Sequence, residues 1–150
     1  MISTETLSQF SLFNGLPGSF LQEIASISRQ SSCKKDEYVF REGETADKLH
    51  FLLEGSIALR VNLTSRPESI TVSYVSQPHQ IFGWSGLVAP YHYTASAQCD
   101  EDSELLIVPA EQFMKLLGSQ PEHGYHVMLR IAEVIADRLR NSRQALLKTL

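Results

Sequence analysis

Residues 81–97 read IFGWSGLVAPYHYTASA: a glycine turn, one short amphipathic turn, a proline stop, then a strand of small residues. A chain can cradle a phosphate in this way, because the first turn presents free backbone N–H groups to an anion. This cradle, however, contains no Arg, Lys, Asp or Glu. What it keeps is the N–H groups at Gly83, Trp84 and Ser85, the hydroxyls of Ser85 and Thr94, and the titratable ring of His92. Trp84, Tyr91 and Tyr93 would make its mouth aromatic. The candidate pocket is therefore Phe82, Gly83, Trp84, Ser85, Gly86, Leu87, Tyr91, His92, Tyr93, Thr94 and Ala95. Two uses are open to these residues. The aromatics could fill the space as core, or they could line a pocket retuned to a planar or less charged ligand.

No catalytic constellation accompanies them. The five histidines are His50, His79, His92, His123 and His126. His123 and His126 stand three apart, which puts two imidazoles on one helix face, but a metal centre needs a third ligand and a supporting shell. The run CDEDSE at 99–104 is rich in acids without the spacing of a calcium loop. GxSxG, P-loop and HExxH patterns are absent. We expect no enzyme, no metal and no resident cofactor.

Composition narrows the classes further. At 150 residues the chain can bury the core of one domain. A net charge of −4 without a Lys/Arg run argues against a surface covered in nucleic acid. No apolar run approaches the ~20 residues of a membrane span, and MISTETLSQF has neither the basic nor the apolar region of a secretory signal. The expectation is a protein of the cytoplasm. Cys33 and Cys99 form no CxxC, and nothing in the sequence places them together. They are expected as reduced thiols in core or strand positions, with a redox pair as the lesser alternative.

The elements that must position the cassette follow from periodicity. LSQFSLFNGLPGSFLQEIASISRQ reads as two short helices broken at Gly15-Leu16-Pro17-Gly18. From Ser32 to Val108 the period is two. KLHFLLEGSIALRVNL is two strands hinged at Glu54-Gly55, SITVSYVS puts Ile70, Val72 and Tyr74 on one face, and TASAQC and ELLIVP close the series. Many short strands with frequent turn signals predict an antiparallel roll or barrel. From Ala110 the period returns to 3.6: PAEQFMKLLG is a short helix, and from Pro121 nothing breaks a long one after Gly124. The fold class is α+β, one domain over 1–150. N-terminal helices occupy 1–29, an antiparallel β-roll (a double-stranded β-helix, jelly-roll-like) occupies 30–109 with its cassette at 81–97, and C-terminal helices occupy 110–150.

This order of elements, with the strings LFNGLPGSFLQEIA and KKDEYVFREGETADKLHFLLEGSIAL, resembles the cyclic-nucleotide-binding domain. That domain is the sensor module of the catabolite activator protein and of the protein kinase A regulatory subunit. Gly43 and Gly55 fall at the family's turn glycines, where a positive φ or a close approach excludes a Cβ. In members that bind cyclic nucleotides, the resemblance implies a Glu after the cassette's Phe-Gly that takes the ribose hydroxyl. An Arg before its Ser/Thr-Ala pairs with the phosphate. Here Phe82 and Gly83 are kept, Trp84 stands at the Glu position, Tyr93 at the Arg position, and Thr94 and Ala95 follow. Losing one side of a buried charge pair costs about 2–5 kcal/mol, roughly 30-fold to several thousand-fold in affinity. The reading is therefore against cyclic AMP or cyclic GMP in the usual pose. Arg130 or Arg138 of the long helix could replace the missing charge, although nothing in the sequence places either there.

Along that helix Met128, Ala132, Ile135, Leu139, Ser142, Leu146 and Thr149 recur at alternating steps of four and three, a heptad seam. Val127, Ile131 and Val134 form a second strip. Two strips predict two neighbours, the chain's own roll and the same helix of a second copy. In the family's transcription factors a helix-turn-helix domain follows this helix. The sequence ends at Leu150, about where that domain would begin, so no DNA binding by this chain alone is expected. Three roles are open: a homodimeric sensor that takes a small ligand and acts on a protein partner, the sensor half of a transcription regulator, and a ligand-free dimerisation scaffold.

Overall fold

Strand β3, Lys48–Glu54, organises the molecule. Its apolar run LHFLL is buried on both faces: Leu49 and Phe51 point one way, His50 and Leu52 the other. The computed structural model describes all 150 residues. Its elements are α1 (Thr4–Ser8), α2 (Gly18–Ile27), β1 (Arg29–Cys33), β2 (Tyr38–Phe40), β3, β4 (Ile57–Asn62), β5 (Ser69–Val75), β6 (Ile81–Phe82), a 3₁₀ turn (Trp84–Leu87), β7 (Ser96–Cys99), β8 (Ser103–Pro109), α3 (Ala110–Ser119) and α4 (Pro121–Lys148). The strands form two antiparallel four-stranded sheets, ordered β1-β8-β3-β6 and β2-β7-β4-β5. This is the expected roll, flanked by short helices and one long one.

The first sheet separates two cores. On its outer face Leu49, Phe51, Leu106 and Val108 meet Phe10, Phe13, Phe20, Phe113, Val127 and Ile131 from the helical segments. Between the sheets lie Leu52, Ile57, Leu59, Phe82, Leu105 and Ile107, with Phe40 and Tyr93. The hinge between β3 and β4 depends on Gly55, whose φ of 110° and contact with Ser103 leave no room for a side chain.

Two findings differ from the sequence reading, and a third refines it. Cys33 and Cys99 are joined as a disulfide, with Cα atoms 6.5 Å apart, rather than standing as separate thiols. Cys33 ends β1 in one sheet and Cys99 ends β7 in the other, so the pairing follows from the closing of the roll, which spacing does not reveal. Ile70, Val72 and Tyr74 do share one face, and it is the exposed one; the small polar residues of β5 face Arg60, which donates to Ser69 Oγ and Thr71 Oγ1. Gly118 lies inside α3 rather than beyond its end, and only Gln120 separates α3 from α4.

Helix α4 changes character along its length. Gly124, Val127 and Ile131 are buried, Val134 and Arg138 half-buried, and every residue from Leu139 onward is exposed. Ile135, Leu139 and Leu146 of the heptad seam are 40%, 60% and 62% exposed. Met128, by contrast, packs partly against the helix-side core.

Candidate functional site

The cassette begins where β6 ends. Gly83 has φ 68°, and a Cβ there would come within 2.7 Å of Phe40 Cε2 and 2.8 Å of His50 Nδ1. Only glycine lets the chain leave the sheet this close to the two rings. The 3₁₀ turn Trp84–Leu87 follows, and its Leu87 joins the helix-side core. A cis Ala89–Pro90 bond then reverses the chain. The returning limb zips onto the 43–46 corner: Tyr93 N–H donates to Glu44 O (3.0 Å), Gly43 N–H to Tyr93 O (2.8 Å) and Ala46 N–H to Tyr91 O (2.7 Å).

This path sends the three aromatics in three directions, so the expected aromatic mouth does not form. Tyr93 turns inward and is buried, stacked on Phe40 with centroids 3.8 Å apart and planes 11° from parallel. Its hydroxyl donates to Lys48 O at 3.2 Å, and burial pushes its pKa up to about 12. Tyr91 is left exposed on a left-handed backbone with φ 60°. Trp84 lies half-buried against the helix-side core, away from the space between the sheets. His92 and Thr94 are exposed, and Ser85, Gly86 and Ala95 half-buried. Phe82 is buried between the sheets.

Arg138 does reach the cassette, but from outside the roll. Its guanidinium carbon sits 4.5 Å from the centre of the Trp84 ring, and Nη2 donates to Ile81 O at 2.8 Å. Burial lowers its pKa to about 10, which leaves it charged at neutral pH. Arg130 goes elsewhere, donating to Leu12 O and Asn14 O.

The residue that sequence reasoning missed is His50. It is 3% exposed, wedged 5.0 Å from the Phe40 ring and 5.3 Å from that of Phe82. Its Nδ1 has no hydrogen-bond partner. Burial, then the charges of Lys48 and Arg29, lower its pKa to about 3, so the ring is neutral. The available signal was a single polar residue at an inward position of the run LHFLL.

The family's sequence profile for the cyclic nucleotide-binding domain matches residues 30–120. The chain belongs to the cyclic nucleotide-binding domain family. The anaerobic regulatory protein of Bacillus subtilis (strain 168) is 33% identical over 95 residues, which are 63% of this chain and 39% of that protein. The chain thus spans well under half the length of that relative. Among solved structures, a candidate cyclic nucleotide-binding protein of Geobacter metallireducens GS-15 is 32% identical, with a TM-score of 0.80 over 93% of this chain and 99% of that one. The catabolite activator protein of Thermus thermophilus is 24% identical and shares the fold, with a TM-score of 0.73 over 90% of this chain and 61% of its own.

Against the family pattern, the place of the phosphate-pairing Arg holds a neutral ring stacked on Phe40. The place of the ribose-binding Glu holds a ring that faces the helices. The roll interior at the cassette is packed with Phe40, Phe82, Tyr93 and His50 and offers a phosphate no fixed charge from the cassette itself.

Proposed function

We propose that this cyclic nucleotide-binding domain is a non-enzymatic, cytoplasmic regulatory module of a bacterium that does not take cyclic AMP or cyclic GMP in the usual pose. The Phe40–Tyr93 stack carries this reading, because it fills the position of the charge partner that a buried phosphate requires. Titration calorimetry with each nucleotide tests it. Weak or absent binding is expected, and a sub-micromolar dissociation constant for either overturns it. The companion variant Tyr93→Arg with Trp84→Glu is expected to gain little, because a Glu at 84 would meet Arg138. Tyr93→Arg with Phe40→Ala, which empties the space and restores the cation, is expected to gain more.

The module acts as a parallel homodimer through α4. Ile135, Leu139 and Leu146 stay largely exposed on one helix face, and Val72 and Tyr74 of β5 line a groove with Asn141, Ser142 and Ala145 beside it. Six seam side chains, about half exposed at the outset, contribute roughly 5–9 kcal/mol when buried. Association costs about 4–15 kcal/mol. The seam alone therefore meets only the lower half of that cost, and the β5 stripe must supply the rest. Ala132 and Ser142 contribute little. Ile135→Glu with Leu139→Glu should give a folded monomer by analytical ultracentrifugation. A wild-type monomer at tens of micromolar defeats the dimer.

A second reading is favoured by the short span of the Bacillus relative that is covered: the chain is the sensor half of a DNA-binding regulator. The full reading frame in the source genome decides between the two. A third, a ligand-free dimerisation scaffold, is favoured by the filled interior at the cassette.

A further inference from the structure

The inward face of the first sheet should be apolar, since it packs against a second sheet. At one end it is not. Arg29, Ile107, His50 and Phe82 stand in one transverse row across β1, β8, β3 and β6, so they share that face. Lys48 lies two residues before His50 on the same face. The row opens on a gap between β1, the edge strand of the first sheet, and β2, the edge strand of the second. The gap holds a cavity of about 250 Å³ floored by Leu105 and Ile107 and walled by Arg29, Ser31, Lys48 and His50. An adjoining cavity of about 430 Å³ shares Lys48 and His50.

At the smaller cavity two cations, Arg29 and Lys48, face a single carboxylate, Glu37. Arg29 makes no ion pair, and Lys48 has only Asp47 at 3.9 Å, itself mostly exposed. Glu37, the one carboxylate at the smaller cavity, has Oε1 engaged by Lys34 N–H at 2.7 Å, and Glu44 and Asp47 line the larger one. The free edge of β1 adds unpaired backbone groups. His50, at the inner end, is more than nine-tenths buried and carries a polar atom without a partner. Buried polar groups are nearly always satisfied, and here Nδ1 lies against Gly83 while the rest of the ring borders the cavity.

We propose that the gap between β1 and β2 binds a small organic anion, a carboxylate or a phosphate ester. Arg29 and Lys48 pair with its charge, Ser31 donates a hydroxyl, and the ring of His50 closes the inner end. The smaller cavity lies below the roughly 300–1,000 Å³ of sites for drug-sized ligands, so the ligand is smaller than a nucleotide. The pairing cations come from β1 and β3, not from the cassette, and only His50 is shared with the roll interior beside Gly83. The site does not require the dimer.

Two-dimensional ¹H–¹⁵N NMR of the full chain tests this, with succinate and glycerol phosphate as the two probes and sodium chloride at matched ionic strength as the reference. Saturable shifts at Ser31, Tyr38, Val39 and the His50 ring with at least one probe are expected, and the tighter probe names the head group. Arg29→Ala and Lys48→Ala should each weaken that binding about tenfold or more, as the loss of a hydrogen bond to a charged group does. Arg66→Ala, in the exposed β4–β5 loop, should not. The proposal fails if neither probe gives a saturable shift, if sodium chloride reproduces the shifts, or if Arg66→Ala weakens binding as much as Arg29→Ala.

Discussion

The two faces of the first sheet are built from the same strands and follow different rules. The helix side is mostly carbon: Phe10, Phe13, Phe20, Phe51 and Phe113 close it, and polar rings meet it only at its margin, His79 stacked on Phe10 and His123 edge-on to Phe20. The intersheet side carries a neutral histidine, a buried tyrosine hydroxyl, a disulfide and, at its mouth, two cations. A face that only had to hold the fold together could look like the first. The second carries a desolvation cost for groups that packing does not need, and it is the face on which the proposed anion site lies.

Neighbouring residues on β3 give the largest test of that contrast. His50 has a folded pKa of about 3 against 6.5 when unfolded. The folded state refuses a proton that the unfolded chain accepts, so the stability this neutral ring allows is fully present above pH 6.5 and is lost as the pH falls toward 3. The whole interval corresponds to an upper bound on the order of 5 kcal/mol. Phe51→Ala, on the other face, should cost about 3–5 kcal/mol at every pH, through its cavity alone. Denaturant melts between pH 7 and pH 4 should show His50→Phe flattening the acid slope and Phe51→Ala shifting it bodily. An unchanged slope in His50→Phe would show that the acid sensitivity comes from other groups.

Next in size is the disulfide, which belongs wholly to the intersheet side. It closes a loop with a sequence separation of 66 between the two sheets. The chain-entropy account gives such a crosslink about 4 kcal/mol. Cys33→Ser, or reduction with dithiothreitol, should lower stability by up to that amount. Hydrogen exchange should rise in β1, β2 and β7 before the helix-side core. Equal stability in oxidised and reduced protein would mean that the thiols pack as well apart as joined, which a reducing cytoplasm would favour.

Much of this architecture was legible because it is periodic. The period of two, the glycine hinge at 54–55 and the unbroken helix after Gly124 each bound an element locally, and the cassette string carried its own signature. What was hidden depends on long-range closure. Whether Tyr93 or Trp84 turns inward is decided by Phe40 and by the pairing of 91–93 with 43–46, fifty residues apart in sequence. Cys33 meets Cys99 only once the two sheets face each other. His50 becomes an orphan only because both of its cross-strand neighbours, Ile107 and Phe82, are apolar.

The smallest effect lies where the two sides meet. The cassette straddles them, with Tyr93 committed to the intersheet core and Trp84 to the helix side, and Arg138 clamps Trp84 and the Ile81 carbonyl from α4. Beyond Arg138 no residue of α4 is buried, and this side chain makes the last hydrogen bond from the long helix to the roll. A hydrogen bond from a charged donor contributes about 1.5–3 kcal/mol, and a cation over an indole about 0.5–2 kcal/mol. The two act through one side chain, and desolvation offsets part of both, so Arg138→Ala should cost about 1–2 kcal/mol. The more telling readout is local. If Arg138 ties the helix to the cassette, its loss should raise hydrogen exchange in residues 134–148 and shift the Trp84 fluorescence to longer wavelength, while Tyr93 and the intersheet amides stay protected. Arg138→Lys keeps the charge but not the planar stack, and should recover less than half of the loss. Deprotection of both cores together would mean that the cassette is a single rigid piece and that the division between the two sides of the sheet does not extend into it.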